Sequence, residues 1–321
     1  MRTRRSQSSS DSVPSSAIFL AGKHAPVLLH EVVEGLVIAP DDIVVDATLG
    51  GAGHARAIAE KLGRRGVFIG FDLDPEAISR AEKALEGTKP KVYLVHANFR
   101  RLAAELQNLG IGSITKALFD FGWSSDQLKA GRGFSFSADE PLLMTYAVPT
   151  PGILTAEQVV NEWSEQSLAD VIFGWGEERY ARRIAKAIVA HREKAPFKTA
   201  RELAEVIRHS VPAAYRRGRI HPATRTFQAL RIAVNDELSA LTDGLRAAWD
   251  MLAPGGRIAV IAFHSIEDRI VKRAFAEWDK EGKGKRIFKK PVRPTAEELE
   301  KNPRSRSAKL RIIQKTVNSE H

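Results

Sequence analysis

Residues 43–72 read IVVDATLGGAGHARAIAEKLGRRGVFIGFD, and this stretch decides the fold. It begins with a short apolar run that ends in Asp46, which predicts a buried strand. A glycine-rich turn at 50–53 lets a ligand approach the backbone, and helical spacing over 55–62 aims a helix N-terminus at that ligand. A second apolar run ends in Asp72. In nucleotide-binding βαβ units, an acid at this position accepts hydrogen bonds from ribose hydroxyls.

The order of these elements predicts a site for a nucleoside-type cofactor. S-adenosylmethionine fits this site better than NAD, because the glycines do not have the dinucleotide spacing G-x-G-x-x-G. The alternative is a βαβ unit whose glycines only allow the helix and strand to pack closely. A dehydrogenase is further disfavoured because we find no paired acid and base that would serve its substrate.

Composition limits the classes of protein that remain. The chain has 321 residues, with 49 Lys and Arg against 39 Asp and Glu, a net charge of +10 that favours an anionic partner such as nucleic acid. It has no cysteine, which excludes disulfides, thiolate zinc sites and cysteine nucleophiles. We find no histidine spacing typical of zinc and expect no metal. Since no apolar run reaches about 18 residues, we expect a soluble, cytoplasmic protein without a membrane span.

Four segments follow from the pattern along the chain. Residues 1–22 are rich in Arg and Ser and predict a disordered basic arm. Strands alternate with helices over 23–129, which predicts a parallel, doubly wound sheet. Over 130–219 we find no good strand, and the helices there have one apolar and one cationic face, so we expect a helical insertion that recognises substrate. The alternative to substrate recognition is that the cationic face of these helices is an ordinary solvated surface. Strands return over 220–321.

Two further expectations concern local structure. The segment 224–252 predicts one long helix with a break at Asp243-Gly244, and residues 254–256 predict a turn before the fifth strand. Ligands of doubly wound sheets lie beyond the carboxyl ends of the strands. We therefore expect four side chains to lie along one edge: Asp46, Asp72, Phe99 and Asp120. The total of seven strands with a late hairpin is the sheet of class I methyltransferases.

Several motifs together resemble a known family, the bacterial small-subunit ribosomal RNA cytosine-N4 methyltransferases. The resemblance covers nearly all of 24–312. It lies in HAPVLLHEVVEGL (24–36), DATLGGAGHARAI (46–58), FDLDPEAI (71–78), DFGWSSDQL (120–128), GRGFSF (131–136), GEERYARRIAKAI (176–188), HPATRTFQALRIAVNDEL (221–238), APGGRIAVIAFHSIEDRIVK (253–272) and PRSRSAKLRI (303–312).

The resemblance implies a class I methyltransferase sheet, Rossmann-like and seven-stranded, with an inserted helical substrate-binding domain. It implies S-adenosylmethionine as the methyl donor and the exocyclic amine of a decoding-centre cytidine as the target, in 16S ribosomal RNA or the 30S particle. A homodimer is compatible with the resemblance, which does not specify the oligomeric state. The residues that it implies for donor binding are Ala52, Gly53 and His54 at the methionine part, Asp72 at the ribose, Phe99 on the adenine, and Asp120 and Gln127 completing the site.

The chain departs from the family pattern at two places. The family often has glycine where this chain has Ala52, and the backbone contacts survive that change if the position has negative φ. The segment 141–146 reads PLLMTY, where the family usually has PLDMRM. If the missing acid and arginine pair with each other, losing both is nearly neutral. If either contacts RNA, substrate choice or activity is affected.

The chemistry needs a proton acceptor, because a cytosine amine is a poor nucleophile and loses a proton as the new bond forms. Asp120 is our candidate catalytic residue, although the resemblance gives it a role in donor binding. His264 and Asp268 follow the fifth strand and are further candidates, but helix capping and packing explain them equally well. Positioning the amine beside an activated donor is sufficient if no strong base is present.

The target base must also leave its stack to reach the donor. Trp123, Phe134 and Phe136 are candidates to hold it, with core packing as the alternative for each. Candidates for phosphate contacts are Arg225, Arg231, Lys289, Lys290, Arg304 and Arg306.

Two other hypotheses stay open. The first is a methyltransferase of the same fold that acts on another RNA, DNA or protein amine. The second is a ribosome-assembly or RNA-binding protein that retains the donor pocket without turnover.

Overall fold

A seven-stranded sheet forms the centre of the protein. The computed structural model describes residues 26–122, 131–136 and 139–317; the predicted basic arm lies outside these ranges. The strands are β1 (Ile43–Asp46), β2 (Val67–Asp72), β3 (Lys91–His96), β4 (Ile114–Asp120), β5 (Leu252–Ala262), β6 (Gly284–Arg286) and β7 (Lys309–Lys315).

The strand order is β3-β2-β1-β4-β5-β7-β6. The first five strands pair in parallel, and β7 runs antiparallel between β5 and β6. The chain order reverses direction between β1 and β4, which is where doubly wound sheets bind their ligands. The predicted seven-stranded sheet with a late hairpin is confirmed.

Helices cover both faces of the sheet and form the insertion. They are α1 (Leu29–Leu36), α2 (Gly53–Lys61), α3 (Pro75–Leu85), α4 (Leu102–Asn108), α5 (Ala156–Glu162), α6 (Glu165–Gly176), α7 (Ala181–Arg192), α8 (Ala200–Ser210), α9 (Ala213–Arg216), α10 (Thr224–Asn235), α11 (Glu237–Met251), α12 (Ser265–Lys280) and α13 (Ala296–Lys301). Short 3₁₀ turns occupy Phe99–Arg101 and Pro303–Ser307.

The prediction of a helix break at Asp243-Gly244 is wrong. The break lies at Asp236, whose left-handed backbone (φ 48°, ψ 45°) separates α10 from α11. Aspartate tolerates this conformation better than most residues, because its short polar side chain bonds locally. Gly244 lies inside α11, where a Cβ atom would come within 2.4 Å of the Phe99 ring. The absence of a side chain at Gly244 therefore makes room for the Phe99 ring and does not end the helix.

The predicted turn at 254–256 is also placed differently. It lies within β5, which begins at Leu252 and shifts register against β4 between Ile114 and Lys116. Gly255 has φ +77°, a value that glycine adopts without strain. The turn is therefore an irregularity of one strand and does not precede it.

The helical insertion has its own core. Within the described residues it contains helices α5 to α9 and an isolated bridge between Pro141 and Thr199. Phe227 and Leu230 of α10 belong to this core, so the helical layer continues past the predicted boundary at residue 219. Two other clusters lie on the two faces of the sheet. The insertion can thus hold its loops rigidly against the edge of the sheet.

Within the described residues, no helix combines the length and the apolar character needed to cross a membrane.

Candidate active site

One cavity of about 460 Å³ opens at the carboxyl edge of the parallel strands. This volume lies within the range of roughly 300–1,000 Å³ that is typical of small-molecule sites. One side is formed by residues that follow β1, β2 and β3, among them Gly51, Asp72 and Phe99. The other side is formed by residues after β4 and β5, by loops of the insertion, and by the junction of α10 and α11. We call these the donor side and the base side.

Asp72 organises the donor side. Its carboxylate accepts hydrogen bonds from the backbone N–H groups of Gly50 and Asp74, each at 2.9 Å. Burial raises the pKa of Asp72 above its ordinary value, although these backbone bonds oppose the shift. The side chain thus fixes the glycine turn and still lines the cavity, where a carboxylate can accept further bonds from a diol.

Asp46 lies beneath the same turn, fully buried. One of its oxygens accepts a bond from the Thr48 N–H, and the other has no partner among the described residues. Burial raises the pKa of Asp46 well above its ordinary value, and the negative charges of Asp120 and Asp72 raise it further. Asp72 and Asp120 line this end of the cavity, and two acids there favour a cationic ligand and oppose a diphosphate. These residues therefore fit a sulfonium nucleoside better than NAD.

His54 and Asp120 meet at the inner end of the cavity. His54 Nε2 lies 3.0 Å from the Val27 carbonyl, so this nitrogen is the donor, and Nδ1 faces Asp120 Oδ2 at 3.5 Å. The Asp120 N–H donates to the Thr48 hydroxyl, which ties the end of β4 to the end of β1. Both side chains are thereby held at the point where the donor side meets the base side.

Phe99 packs edge to face on Phe119, with ring centroids 5.6 Å apart, and lines the cavity. The structure therefore brings Gly53, His54, Asp72, Phe99 and Asp120 around one cavity, at the sheet edge where they are expected. Asp46 lies below this edge and does not reach the cavity. Gln127 and Trp123 lie outside the described residues.

Ala52 differs from expectation. Its φ is +59°, so the condition of negative φ for tolerating alanine in the turn is not met. Its side chain is buried and lies outside the residues that line the cavity. The methyl group thus costs backbone strain of about 1–2 kcal/mol relative to the glycine of the family pattern.

The base side contains a buried polar cluster that the sequence analysis did not assemble. Arg231 binds both oxygens of Glu237, with Nε to Oε1 at 2.8 Å and Nη2 to Oε2 at 2.9 Å. The Tyr146 hydroxyl donates to Glu237 Oε1 at 2.9 Å. Asn235 accepts a bond from the Tyr146 N–H and donates to the carbonyl of Met144. The string VNDEL at 234–238 is the only sequence signal for this cluster.

The capping interpretation of His264 is confirmed. His264 Nδ1 accepts from the Glu267 N–H, and Glu267 Oε2 accepts from the N–H groups of Phe263 and His264, which starts α12. Asp268 pairs with Lys309 and Arg311, so its role is packing of α12 on β7. Glu267 alone of these acids lines the cavity.

Ligand atoms of Glu237, His264 and Glu267 lie within 4.8 Å of one another, which is close enough for a three-ligand cation site. However, the Arg231 guanidinium already binds both oxygens of Glu237. A fixed positive charge at this distance opposes a metal cation. We therefore assign no metal to the cluster.

The structure corrects one candidate phosphate contact. Arg231 is 3% exposed and its guanidinium is bound to Glu237, so it cannot meet RNA. Arg225 is partly exposed and donates to the Glu177 carbonyl. Arg304 is exposed at the cavity wall, and three others are exposed elsewhere on the surface: Lys289, Lys290 and Arg306.

The aromatic candidates Phe134 and Phe136 both line the cavity. Phe134 is also part of the core of the insertion and lies nearly parallel to Tyr146, at 5.8 Å between ring centroids. Phe136 stacks on His221 at 4.4 Å. These contacts hold two rings rigidly on the base side.

Replacing Asp46 by asparagine should stabilise the protein without ligand at neutral pH, because it removes a buried charge. The pKa of Asp46 is raised, so the folded protein binds this proton more tightly than the unfolded chain does. The stability advantage of Asp46→Asn should therefore shrink as the pH falls from neutral toward the ordinary carboxyl pKa. Thermal melts between pH 7 and 5 would measure it. Asp41→Asn, at an exposed carboxylate, should show no such trend, and an equal trend in both would contradict the assignment.

The fold is that of a class I methyltransferase, because the sheet has this strand order and a final antiparallel hairpin and is interrupted by a helical insertion. The acid at the end of β2 lines a cavity that fits a cationic nucleoside. The model of the MraW methylase family matches residues 21–316. The chain belongs to this family.

Curated relatives agree with this membership. A protein of Heliobacterium mobile, "Ribosomal RNA small subunit methyltransferase H", is 48% identical over 309 residues, covering 91% of this chain and 98% of its own. A protein of Brevibacillus brevis with the same name is 45% identical over 312 residues, covering 92% and 99%. The resemblance found in the sequence is thus confirmed.

Proposed function

We propose that this protein transfers a methyl group from S-adenosylmethionine to the N4 amine of a cytidine in the decoding centre of 16S ribosomal RNA. The observation that carries the proposal is the two-sided cavity, with Asp72 on the donor side and the rigid aromatic and acidic wall on the base side. The names of the relatives, which span almost their whole length, support ribosomal RNA as the substrate.

The donor side has groups for each part of this cofactor. The Asp72 carboxylate would bind the ribose, and the Phe99 ring would pack on the adenine. Gly53 and His54 would lie at the methionine part, together with the backbone of Ala52. Asp120 and Gln127 would complete the site. S-adenosylmethionine, when bound, supplies a methyl group on a positively charged sulfonium sulfur. The carboxylates of Asp72 and Asp120, which line this end of the cavity, supply the opposite charge.

On the base side, Phe134 and Phe136 would stack on the extruded cytosine. Asp120 lies where the two sides meet and would accept the N4 proton, with His54 Nδ1 at 3.5 Å to share it. The ammonium formed by methyl transfer is strongly acidic, so a carboxylate is basic enough to accept its proton. Arg304 at the cavity wall would contact the RNA backbone.

The departure at 141–146 does not remove a visible partner. Where the family usually has arginine, Thr145 is 1% exposed and its hydroxyl has no partner among the described residues. Tyr146 has joined the Glu237 cluster instead. The loop is therefore packed, and Tyr146 is bonded, without the missing pair, although the buried Thr145 hydroxyl is left without a partner among the described residues.

Changing Gly244 to alanine should weaken donor binding by about tenfold while the fold is kept. An added Cβ would come within 2.4 Å of Phe99, so the ring must move from its place in the cavity wall. Gly174→Ala is the matched control, because Gly174 is also helical but faces open space. In both helices, alanine has a higher helix propensity than glycine, by up to about 1 kcal/mol, so this contribution is the same in the two variants. Isothermal titration with S-adenosylmethionine would compare the two, and equal affinities would place the adenine elsewhere.

The function is tested by methyl transfer from labelled donor to small ribosomal subunits that lack the modification. Digestion of the RNA and mass spectrometry of its nucleosides should identify N4-methylcytidine at a single site. Binding of donor without any label in the RNA would instead favour the alternatives, a methyltransferase of another amine or a non-catalytic assembly factor.

We further propose that the protein acts in the cytoplasm on the 30S particle, because the decoding-centre cytidine lies in folded ribosomal RNA. A homodimer stays a prediction, which light scattering of the purified protein would test.

A further inference from the structure

The base side must contain a group that recognises the amine, because a stacking wall alone accepts any base. Cytosine differs from uracil at position 4, where it carries a hydrogen-bond donor and uracil carries an acceptor. The group that distinguishes them must therefore be an acceptor on the cavity wall. Among the described residues, the side-chain amides and carboxylates that line the base side are those of Asp120, Asn235, Glu237 and Glu267.

Two of these four are already occupied. The Asn235 amide donates to the carbonyls of Met144 and Arg231 and accepts from the Tyr146 N–H. Glu267 Oε2 accepts two backbone N–H groups at the start of α12, and Oε1 lies 3.0 Å from His264 Nε2. Both side chains serve the fold of the wall, and the Glu267 side chain is only 4% exposed.

The Glu237 side chain lines the same wall and is 12% exposed, so it is more accessible to a ligand than Glu267. Its Oε1 accepts from Tyr146 and Arg231, but among the described residues its Oε2 accepts only one bond, from Arg231. Each carboxylate oxygen can accept about two hydrogen bonds. The carboxylate is therefore fixed in position by three bonds and retains capacity on Oε2.

We propose that Glu237, oriented by Arg231 and Tyr146, accepts the hydrogen bond of the cytosine amine and thereby selects cytidine over uridine. This inference rests on the proposed function. The O4 atom of a uracil would face the carboxylate without a proton between them, which is repulsive. Asp120 remains the acceptor of the departing proton, while Glu237 holds the proton that stays on N4.

Tyr146 is the positioning residue of this arrangement. Its hydroxyl is fixed on Glu237, and its ring lies against Phe134. Burial raises the pKa of Tyr146 well above its ordinary value, so the phenol stays protonated and keeps donating. The hydroxyl thus orients the carboxylate through Oε1 and does not compete for the remaining capacity of Oε2.

The test uses small subunits reconstituted from unmodified RNA with either cytidine or uridine at the target position. Uridine-bearing subunits serve as competitive inhibitors of methylation. The ratio of their inhibition constant to the KM of cytidine-bearing subunits measures how strongly the enzyme selects cytidine over uridine, and we call it the selection ratio. For Glu237→Gln, whose amide also offers a donor to O4, this ratio should fall about tenfold. The KM for S-adenosylmethionine should not change.

Because Glu237→Gln weakens a buried ion pair and can impair folding, Tyr146→Phe provides a second variant that keeps the pair intact. It should lower kcat about fivefold and reduce the selection ratio, with an unchanged KM for the donor. Tyr215→Phe is the matched control: Tyr215 also donates to a glutamate, Glu178, but outside the cavity. It should behave as wild type.

A purely structural role would lower the Tm of both variants and leave the selection ratio at its wild-type value. That result, with wild-type methylation intact, overturns the inference alone. Absence of N4-methylcytidine with the wild-type protein overturns the proposed function and this inference together.

Discussion

Replacing Asp72 by alanine should weaken S-adenosylmethionine binding by about 100-fold or more. Hydrogen bonds to a charged group are worth about 1.5–3 kcal/mol each, and a ribose diol offers two. The structure adds a second reason, because Asp72 also accepts the Gly50 N–H and so fixes the turn that faces the donor. Isothermal titration calorimetry would measure the loss.

Asp41→Ala is the control for this variant, because its exposed carboxylate precedes β1 at the opposite edge of the sheet and has only a long contact with Arg65. Its affinity for the donor should equal that of wild type. Asp72→Asn should lie between the two, since its amide can still accept one backbone bond. An unchanged affinity in Asp72→Ala would remove this residue from the donor site.

Replacing Arg231 by methionine should destabilise the protein by about 3–5 kcal/mol. Removal of one partner from a buried ion pair leaves the other charge without compensation, and Glu237 is held by Arg231 through both oxygens. For a chain of this size, we expect the Tm to fall by about 5–7 °C. Differential scanning calorimetry would measure it.

Two variants test the physical reason for this effect. Arg208→Met removes an exposed guanidinium that pairs with Glu205 at the surface, so its Tm should stay near that of wild type. The double variant Arg231→Met with Glu237→Leu should recover much of the lost stability, because neither charge is then stranded. If Arg231→Met melts like Arg208→Met, the ion pair contributes nothing to the fold.

The donor side could be predicted closely from the sequence. Residues 43–72 contain, in order, a strand, a glycine turn, a helix, and a second strand that ends in an acid. The conformational preferences and burial pattern of the local sequence specify each of these elements. The edge shared by Asp72, Phe99 and Asp120 follows because parallel strands end on the same side of a sheet. Even here the sequence did not reveal the positive φ of Ala52, which depends on how the turn is held by Asp72 and by the start of α2.

The base side could not be predicted in the same way. Tyr146 and Glu237 are 91 residues apart in sequence and meet only because the insertion folds back onto the junction of α10 and α11. From the sequence, Arg231 was expected at the surface as a phosphate contact. The sequence does not show that Glu237 pairs with this arginine and that the guanidinium is buried. The helix break was placed at Gly244, although a glycine can equally make room for Phe99.

The sequence by itself determined the sheet, its seven strands, the donor side and the family, because these depend on periodic burial and on motifs that are contiguous in the chain. The tertiary structure alone decided which acids line the base side of the cavity, which arginine is buried and where α10 ends. These depend on desolvation and on contacts between distant segments, and a side chain's neighbours in sequence do not specify either.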